Sequence, residues 1–200
     1  RDLHSFPTRR SSDLWQISTQ KRAGVYVKPN YLTPYIVSSV VRGKRYKFLL
    51  YAKDIECALI IAKDYIELNY SGAFYIRAVS DFRTDIIITD NLQDVDIQEE
   101  NQQREKKFYQ VEFSVTIDNE ESIIEQQVAV VETTSVDRAM MLICDLLQKN
   151  ERKRVERNKK EGLKDHEHAI IAVVEAVKTI TIKEIIPLKF SEAYAEVNSN

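Results

Sequence analysis

Hydrophobic positions along this chain change period several times. Over residues 35–41 and 45–51, β-branched and aromatic residues alternate with polar ones around Arg42-Gly43-Lys44. This pattern predicts two strands joined by a tight glycine turn. The period then lengthens: Ile55, Ala58, Leu59, Ala62 and Ile66 fall at helical spacing behind Asp54, with Gly72 near the helix end. Asp54 is a residue type that caps helix N-termini, so a helix beginning at Ile55 is expected, its apolar stripe facing the core. Residues 74–79 return to strand character, and 83–89 are partly extended.

The same succession recurs. Ile55-Glu56-Cys57-Ala58-Leu59 matches Val136-Asp137-Arg138-Ala139-Met140 at an offset of 81, which also sets Phe48, Leu49 and Leu50 against Ala129, Val130 and Val131, and Asp54 against Ser135. Ile76-Arg77-Ala78-Val79 matches Val174-Glu175-Ala176-Val177 at an offset of 98, and Ile87-Ile88 then matches Ile185-Ile186. The stripe Val136, Ala139, Met140, Ile143 and Leu147 repeats the first helix, residues 170–177 form the closing strand, and 179–186 are again partly extended. Such self-similarity is the mark of an internal duplication. The second copy carries an insertion between helix and strand.

Each copy thus reads strand, strand, helix, strand. A helical crossover makes the third strand parallel to the second and antiparallel to the first, which gives the sheet order 2-1-3 with the helix on one face. One such unit of roughly 55 to 60 residues is marginal alone, so two packed about a pseudo-two-fold axis are expected. The fold class is α+β: two tandem ββαβ units, antiparallel sheets with one helix each. The expected division is 15–92 for the first unit, 93–107 for a polar linker, 108–190 for the second unit with a basic helical insertion at 149–164, and 191–200 for a tail.

Residues 1–14 (RDLHSFPTRRSSDL) have no apolar periodicity, and their back-translation resembles a common short-read sequencing adapter. They are set aside from fold reasoning as an artefact. The remainder resembles a tandem-repeat family of unknown function found in Bacteroidetes and in crAss-like bacteriophages. The resemblance rests on Tyr109-Gln110-Val111 opening a strand, on Val130-Val131-Glu132 leading through Ser135 into a helix, and on Val174-Glu175-Ala176-Val177 closing the unit. It implies the tandem fold and a bacterial or phage source, and assigns no catalytic residue.

Composition narrows the picture further. No apolar run reaches the roughly 20 residues of a membrane-spanning helix, so no membrane partner is expected. Cys57 and Cys144 fall in separate helical patterns, which suits a reducing compartment, the cytoplasm of a bacterial host cell. No glycine-rich phosphate loop is present. Asp165-His166-Glu167-His168 offers a His-x-His pair, but without a third ligand it reads as a solvated loop. No cofactor, metal or catalytic residue is assigned, and the protein is expected not to be an enzyme.

Charge carries the functional reading. Residues 15–92 hold 11 Lys+Arg and 7 Asp+Glu, whereas residues 93–200 hold 15 and 22. Strand alternation puts Tyr46, Phe48 and Leu50 against the helix and turns Arg45, Lys47 and Tyr51 to the other face. On the third strand, Phe74, Ile76 and Ala78 are expected inward, with Tyr75 and Arg77 outward. Cations for phosphates beside rings for unpaired bases suit single-stranded nucleic acid, a character that Gln110, Glu112 and Glu175 do not give the second copy. The insertion 149–164 adds eight basic and three acidic residues. Its Arg152, Lys153, Arg154 and Arg157 could grip phosphates without reading sequence. The expected function is non-catalytic nucleic-acid binding that favours single strands. The alternative is an adaptor or structural module that works through a protein partner or a second copy of itself.

Overall fold

The structure is a computed structural model that describes residues 24–27, 31–90, 105–117 and 123–195. Residues 1–14 and most of the expected linker lie outside the described residues. The elements run β1 Gly24–Val27, β2 Thr33–Val41, β3 Lys44–Ala52, α1 Ile55–Asn69, β4 Phe74–Asp81, β5 Ile86–Thr89, β6 Lys107–Ile117, β7 Ile123–Thr133, α2 Val136–Lys160, β8 Ile170–Ile180, β9 Glu184–Ile185 and α3 Leu188–Ala195. The fold is mixed α+β.

The chain divides into two compact units, and neither is a contiguous stretch. The described part of one comprises residues 31–83 and 181–195; that of the other comprises 24–27, 84–90, 105–117 and 123–180. The expected boundaries at 15–92 and 108–190 therefore change, because the short strand after each closing strand belongs to the other unit.

In the first unit the sheet order is β4-β2-β3-β9. β2 is antiparallel to both β3 and β4, the 2-1-3 order that a helical crossover dictates. The β2–β3 turn has Arg42 at φ 50° and Gly43 at φ 77°. Two successive left-handed residues twist a two-residue hairpin in the sense its strands require. Asp54 caps α1, its carboxylate accepting from the Cys57 amide at 2.7 Å.

The helix-facing positions Tyr35, Val37, Phe48 and Leu50 pack with Ala58, Ile61, Ala62, Tyr65 and Ile66 of α1. Of the expected helix stripe, Ala58, Ala62 and Ile66 are buried, but Ile55 remains 51% and Leu59 44% exposed. The buried face is rotated toward Ile61 and Tyr65. The equivalent α2 stripe behaves similarly, with Ala139, Ile143 and Leu147 buried and Val136 exposed.

The second unit has the order β1-β5-β7-β6-β8, with β6 antiparallel to β7 and β8. Its core joins Val111, Phe113, Ala129 and Val131 to Ala139, Ile143 and Leu147 of α2. Ser135 caps α2 by accepting from the Arg138 amide at 3.2 Å. The helix then runs through most of the charged insertion until Gly162, at φ 80°, stops it. The Leu163 amide there donates to the Asn158 carbonyl at 2.9 Å, closing the C-terminal turn.

Both sheets are mixed rather than antiparallel throughout, and the first unit carries two helices rather than one. β9 is parallel to β3 and β5 is parallel to β7, each covering the outer edge that the 2-1-3 order leaves open. β9 also leads into α3, so the expected tail at 191–200 begins inside a helix. Phe190, Ser191, Ala193 and Tyr194 are buried. Phe190 stacks edge-on against Tyr65 with centroids 5.4 Å apart, and the Tyr194 hydroxyl donates to Asp64 at 2.8 Å. Aromatic rings spaced four residues apart on one short helix give it enough apolar surface to dock.

Phe190→Ala is therefore expected to cost about 3–5 kcal/mol, the range for emptying an aromatic core site, read as a lower urea midpoint at unchanged slope. A residue in a solvated tail would move the midpoint hardly at all.

Candidate nucleic-acid interface

The residues expected to form a basic, aromatic sheet face occupy three strands of the first unit. Arg45 on β3 and Tyr75 on β4 both lie opposite Val40 of β2, so they share one row and one face. Two inter-strand spacings put their backbones about 10 Å apart. Lys47 lies in the next row, opposite Ser38. Arg45 and Lys47 are exposed, and Tyr75 is 59% exposed. Among the described residues neither cation forms an ion pair with a carboxylate. Arg42 is committed elsewhere: its amide donates to the Ala73 carbonyl at 3.0 Å and its guanidinium to the Ser71 hydroxyl, which braces the hairpin turn against the loop before β4.

One expected member leaves the site, and a second sits at an irregularity of its strand. Tyr51 lies at the far end of the same face, where the row of Leu49 and Tyr51 is buried, and it is only 1% exposed. Alternation placed its side chain on the correct side of the sheet but could not show that this end of the face is covered. Arg77 sits at the irregularity. The β2–β4 register slips between Ser38 and Ser39, which pair with Ala78 and Ile76, so Arg77 is an extra, bulged residue. Beyond the bulge the facing reverses. Val79 rather than Ala78 packs on the helix side, and Arg77 lines an open cleft of about 320 Å³ with Ile55, Glu56 and Leu59 of α1.

The basic insertion separates into two sets. Arg154 is held by carboxylates, its Nε 2.7 Å from Glu151 and its Nη1 2.5 Å from Asp165. Arg152 donates to Glu167 at 2.9 Å. These pairs tie α2 to the loop that leads into β8, and Glu151 also accepts from the His168 amide at 3.2 Å. Lys153 and Arg157, by contrast, are exposed and form no ion pair among the described residues. Lys149 and Lys160 fall on the same stripe, since residues three or four apart share one helix side. Those two lysines were the unselected members, and the helical period that places them was legible once the helix was known to continue.

Asp165 and Glu167 are occupied by arginines, and the described residues contain no cluster of three metal-ligating side chains. No described helix is long and apolar enough to cross a membrane. No family model, curated protein or solved structure matches the chain.

The hydrogen bonds from Arg154 hold Glu151 below the ordinary carboxylate range, and burial opposes them only in part. Asp165 is lowered likewise, chiefly by Asn158 and then by Arg154. A carboxylate depressed in the folded state stabilises it above its unfolded value and loses that contribution as pH falls through the folded one. The loop clamp is therefore expected to be intact at neutral pH and to loosen only when the pH falls below the ordinary carboxylate range. The protection of the His168 amide against hydrogen exchange, relative to its intrinsic rate at the same pH, should fall on acidification, and Glu151→Gln should lower it already at pH 7.

Proposed function

We propose that the protein is a non-catalytic nucleic-acid-binding protein that favours single strands. The observation that carries this reading is the row Arg45–Val40–Tyr75: an exposed ring and an exposed, unpaired guanidinium on one sheet face, with Lys47 beside them. A base can stack on Tyr75 while its phosphates meet Arg45 and Lys47. Charge gives no sequence preference, because the contacts fall on the backbone rather than on base edges. The α2 stripe of Lys149, Lys153, Arg157 and Lys160 supports the reading independently as a second phosphate-directed surface.

The same proposal reads the chain as a duplicated ββαβ unit, the two copies related by a pseudo-two-fold axis. Strand registers support it. Phe48↔Glu184 and Leu49↔Ile185 in one unit match Ala129↔Ile86 and Val130↔Ile87 in the other, at the offsets that relate the sequences. The bulges match as well, with Arg77 skipped between Ile76 and Ala78 and Glu175 skipped between Val174 and Ala176. We propose further, from the sequence resemblance alone, that the chain belongs with the tandem-repeat family of Bacteroidetes and crAss-like phages and acts in the host cytoplasm.

Fluorescence anisotropy of the full chain with a labelled oligothymidine and with a duplex of equal length tests the function. Arg45→Ala with Lys47→Ala should flatten the salt dependence by roughly 0.7 in log-log slope for each lost phosphate contact. Tyr75→Ala should weaken binding by about 1–3 kcal/mol with the slope kept, and Tyr51→Phe should change neither. Absence of binding at low salt overturns the reading.

A further inference from the structure

Arg42 is the one non-glycine among the described residues with φ above zero, at 50°. The left-handed region crowds a Cβ against the following carbonyl, and a two-residue turn of this hand is most often Asn-Gly. An arginine kept there against its backbone preference points to work done by its side chain. That side chain lies across the loop between α1 and β4. Its guanidinium donates to the Ser71 hydroxyl, and the Arg42 amide donates to the Ala73 carbonyl at 3.0 Å.

Gly72 completes the contact. Its φ is 99°, and a methyl group on its α-carbon would stand 2.7 Å from Arg42 Nε and 3.0 Å from Arg42 Cγ. A glycine here lets the arginine stem lie flat on the loop backbone. One side chain thus locks two chain segments together, three residues before Arg45 on one of them and three residues before Tyr75 on the other. Tyr75 needs such a lock. It is the second residue of β4, which among the described strands pairs with β2 alone, and it is 59% exposed. Strand ends with few buried contacts open first. A ring that must be ordered when a base arrives gives up part of its stacking affinity to that ordering, so a brace that orders it beforehand raises affinity without touching the ligand.

We propose that Arg42 is a positioning residue of the nucleic-acid site: clamped on Ser71 and Gly72, it holds the start of β4 so that Tyr75 is ordered opposite Val40, in the row with Arg45, before a strand binds. This role rests on the single-strand binding proposed above. Arg42 meets neither base nor phosphate, and its effect passes through Tyr75.

Arg42→Asn separates the clamp from the turn, because asparagine suits the left-handed position but is too short to reach Ser71. In the full chain it should not lower the melting temperature, yet should weaken oligothymidine binding roughly fivefold with the salt slope kept. Gly72→Ala, which displaces the Arg42 side chain but retains its charge, should weaken binding alike. In a Tyr75→Ala background, Arg42→Asn should cost nothing further. Without nucleic acid, Arg42→Asn should lower the NMR order parameter of the Tyr75 amide from the rigid range of about 0.85. A wild-type chain that binds no oligothymidine overturns the function and this role together. Wild-type binding joined to an affinity or a Tyr75 order parameter that Arg42→Asn leaves unchanged overturns the role of Arg42 alone. So does a loss that persists without Tyr75, or a slope lowered by roughly 0.7, which would make Arg42 itself a phosphate contact.

Discussion

Everything in this architecture depends on a few hydrogen bonds between strands remote in sequence. A 2-1-3 sheet leaves the second strand of its hairpin with one bare edge, and here that edge is met by a short parallel strand. The amides of Lys183 and Ile186 donate to Lys47 and Leu49 at 2.7 and 2.8 Å. In the other unit the amides of Asp85 and Asp90 donate to Val128 and Glu132 at 2.8 and 3.0 Å. Side chains secure these ends: the Asp85 carboxylate accepts from the Val128 amide, and Asp90 takes both the Thr133 hydroxyl and the Arg138 guanidinium. β9 in turn delivers α3 to the first core, where Tyr70 reaches back to Glu184 at 2.9 Å. Lose the parallel pairing and the helix that completes the core is held only by its own contacts, those with α1 among them. Contacts this distant in sequence also imply slow assembly, because loop closure must precede the interactions that reward it.

The β-bulge at Arg77 is the second constraint, and it decides what each side of β4 can do. Without it, strict alternation would line up Arg77 with Tyr75, Arg45 and Lys47 on one face. With it, Tyr75 stays in that row, Val79 turns toward α1, and Arg77 has no partner residue on β2 and borders the cleft. One inserted residue thus changes which side chains beyond it share a face with the Arg45–Tyr75 row. Bulges commonly re-aim side chains at sheet edges in this way. The counterpart residue Glu175 is turned to the Ser114 hydroxyl and to Gln126 at 3.3 Å, so the same backbone device ends in an intrasheet hydrogen bond there.

Periodicity made most of this legible. The hairpin, both capped helices, the strand order and the partly extended segments at 83–89 and 179–186 all follow from the change between period 2 and period 3.6 and from one crossover rule. The burial of Tyr51 and the exposure of Ile55 and Leu59 did not follow, because alternation and helical spacing assign a side but not what covers it. The bulge was hidden as well, since no composition signal marks the Arg77 position. α3 escaped because Phe190 and Tyr194 sit in a short, polar-looking segment whose docking depends on where β9 ends. The exchange of β5 and β9 between units lay beyond local patterns: a four-residue run such as Ile86–Thr89 pairs equally well with any open edge of matching length.

The basic arm shows how geometry sorts cations of equal formal charge. Arginine presents a planar fork suited to carboxylates, and Arg154 spends its fork on Glu151 and Asp165 while Arg152 meets Glu167. Those pairs fix the loop that returns the chain to β8 where α2 runs on past Leu147, with Glu151 and Val155 still buried. The stripe left over is mostly lysine, whose point charges on long, flexible stems impose no one orientation. The arginines make the arm rigid, and its rigidity holds the lysines in line. Under the proposed function, a surface built this way would attract a polyanion through the number of its charges rather than through their individual geometry, so binding there is expected to weaken steeply with salt.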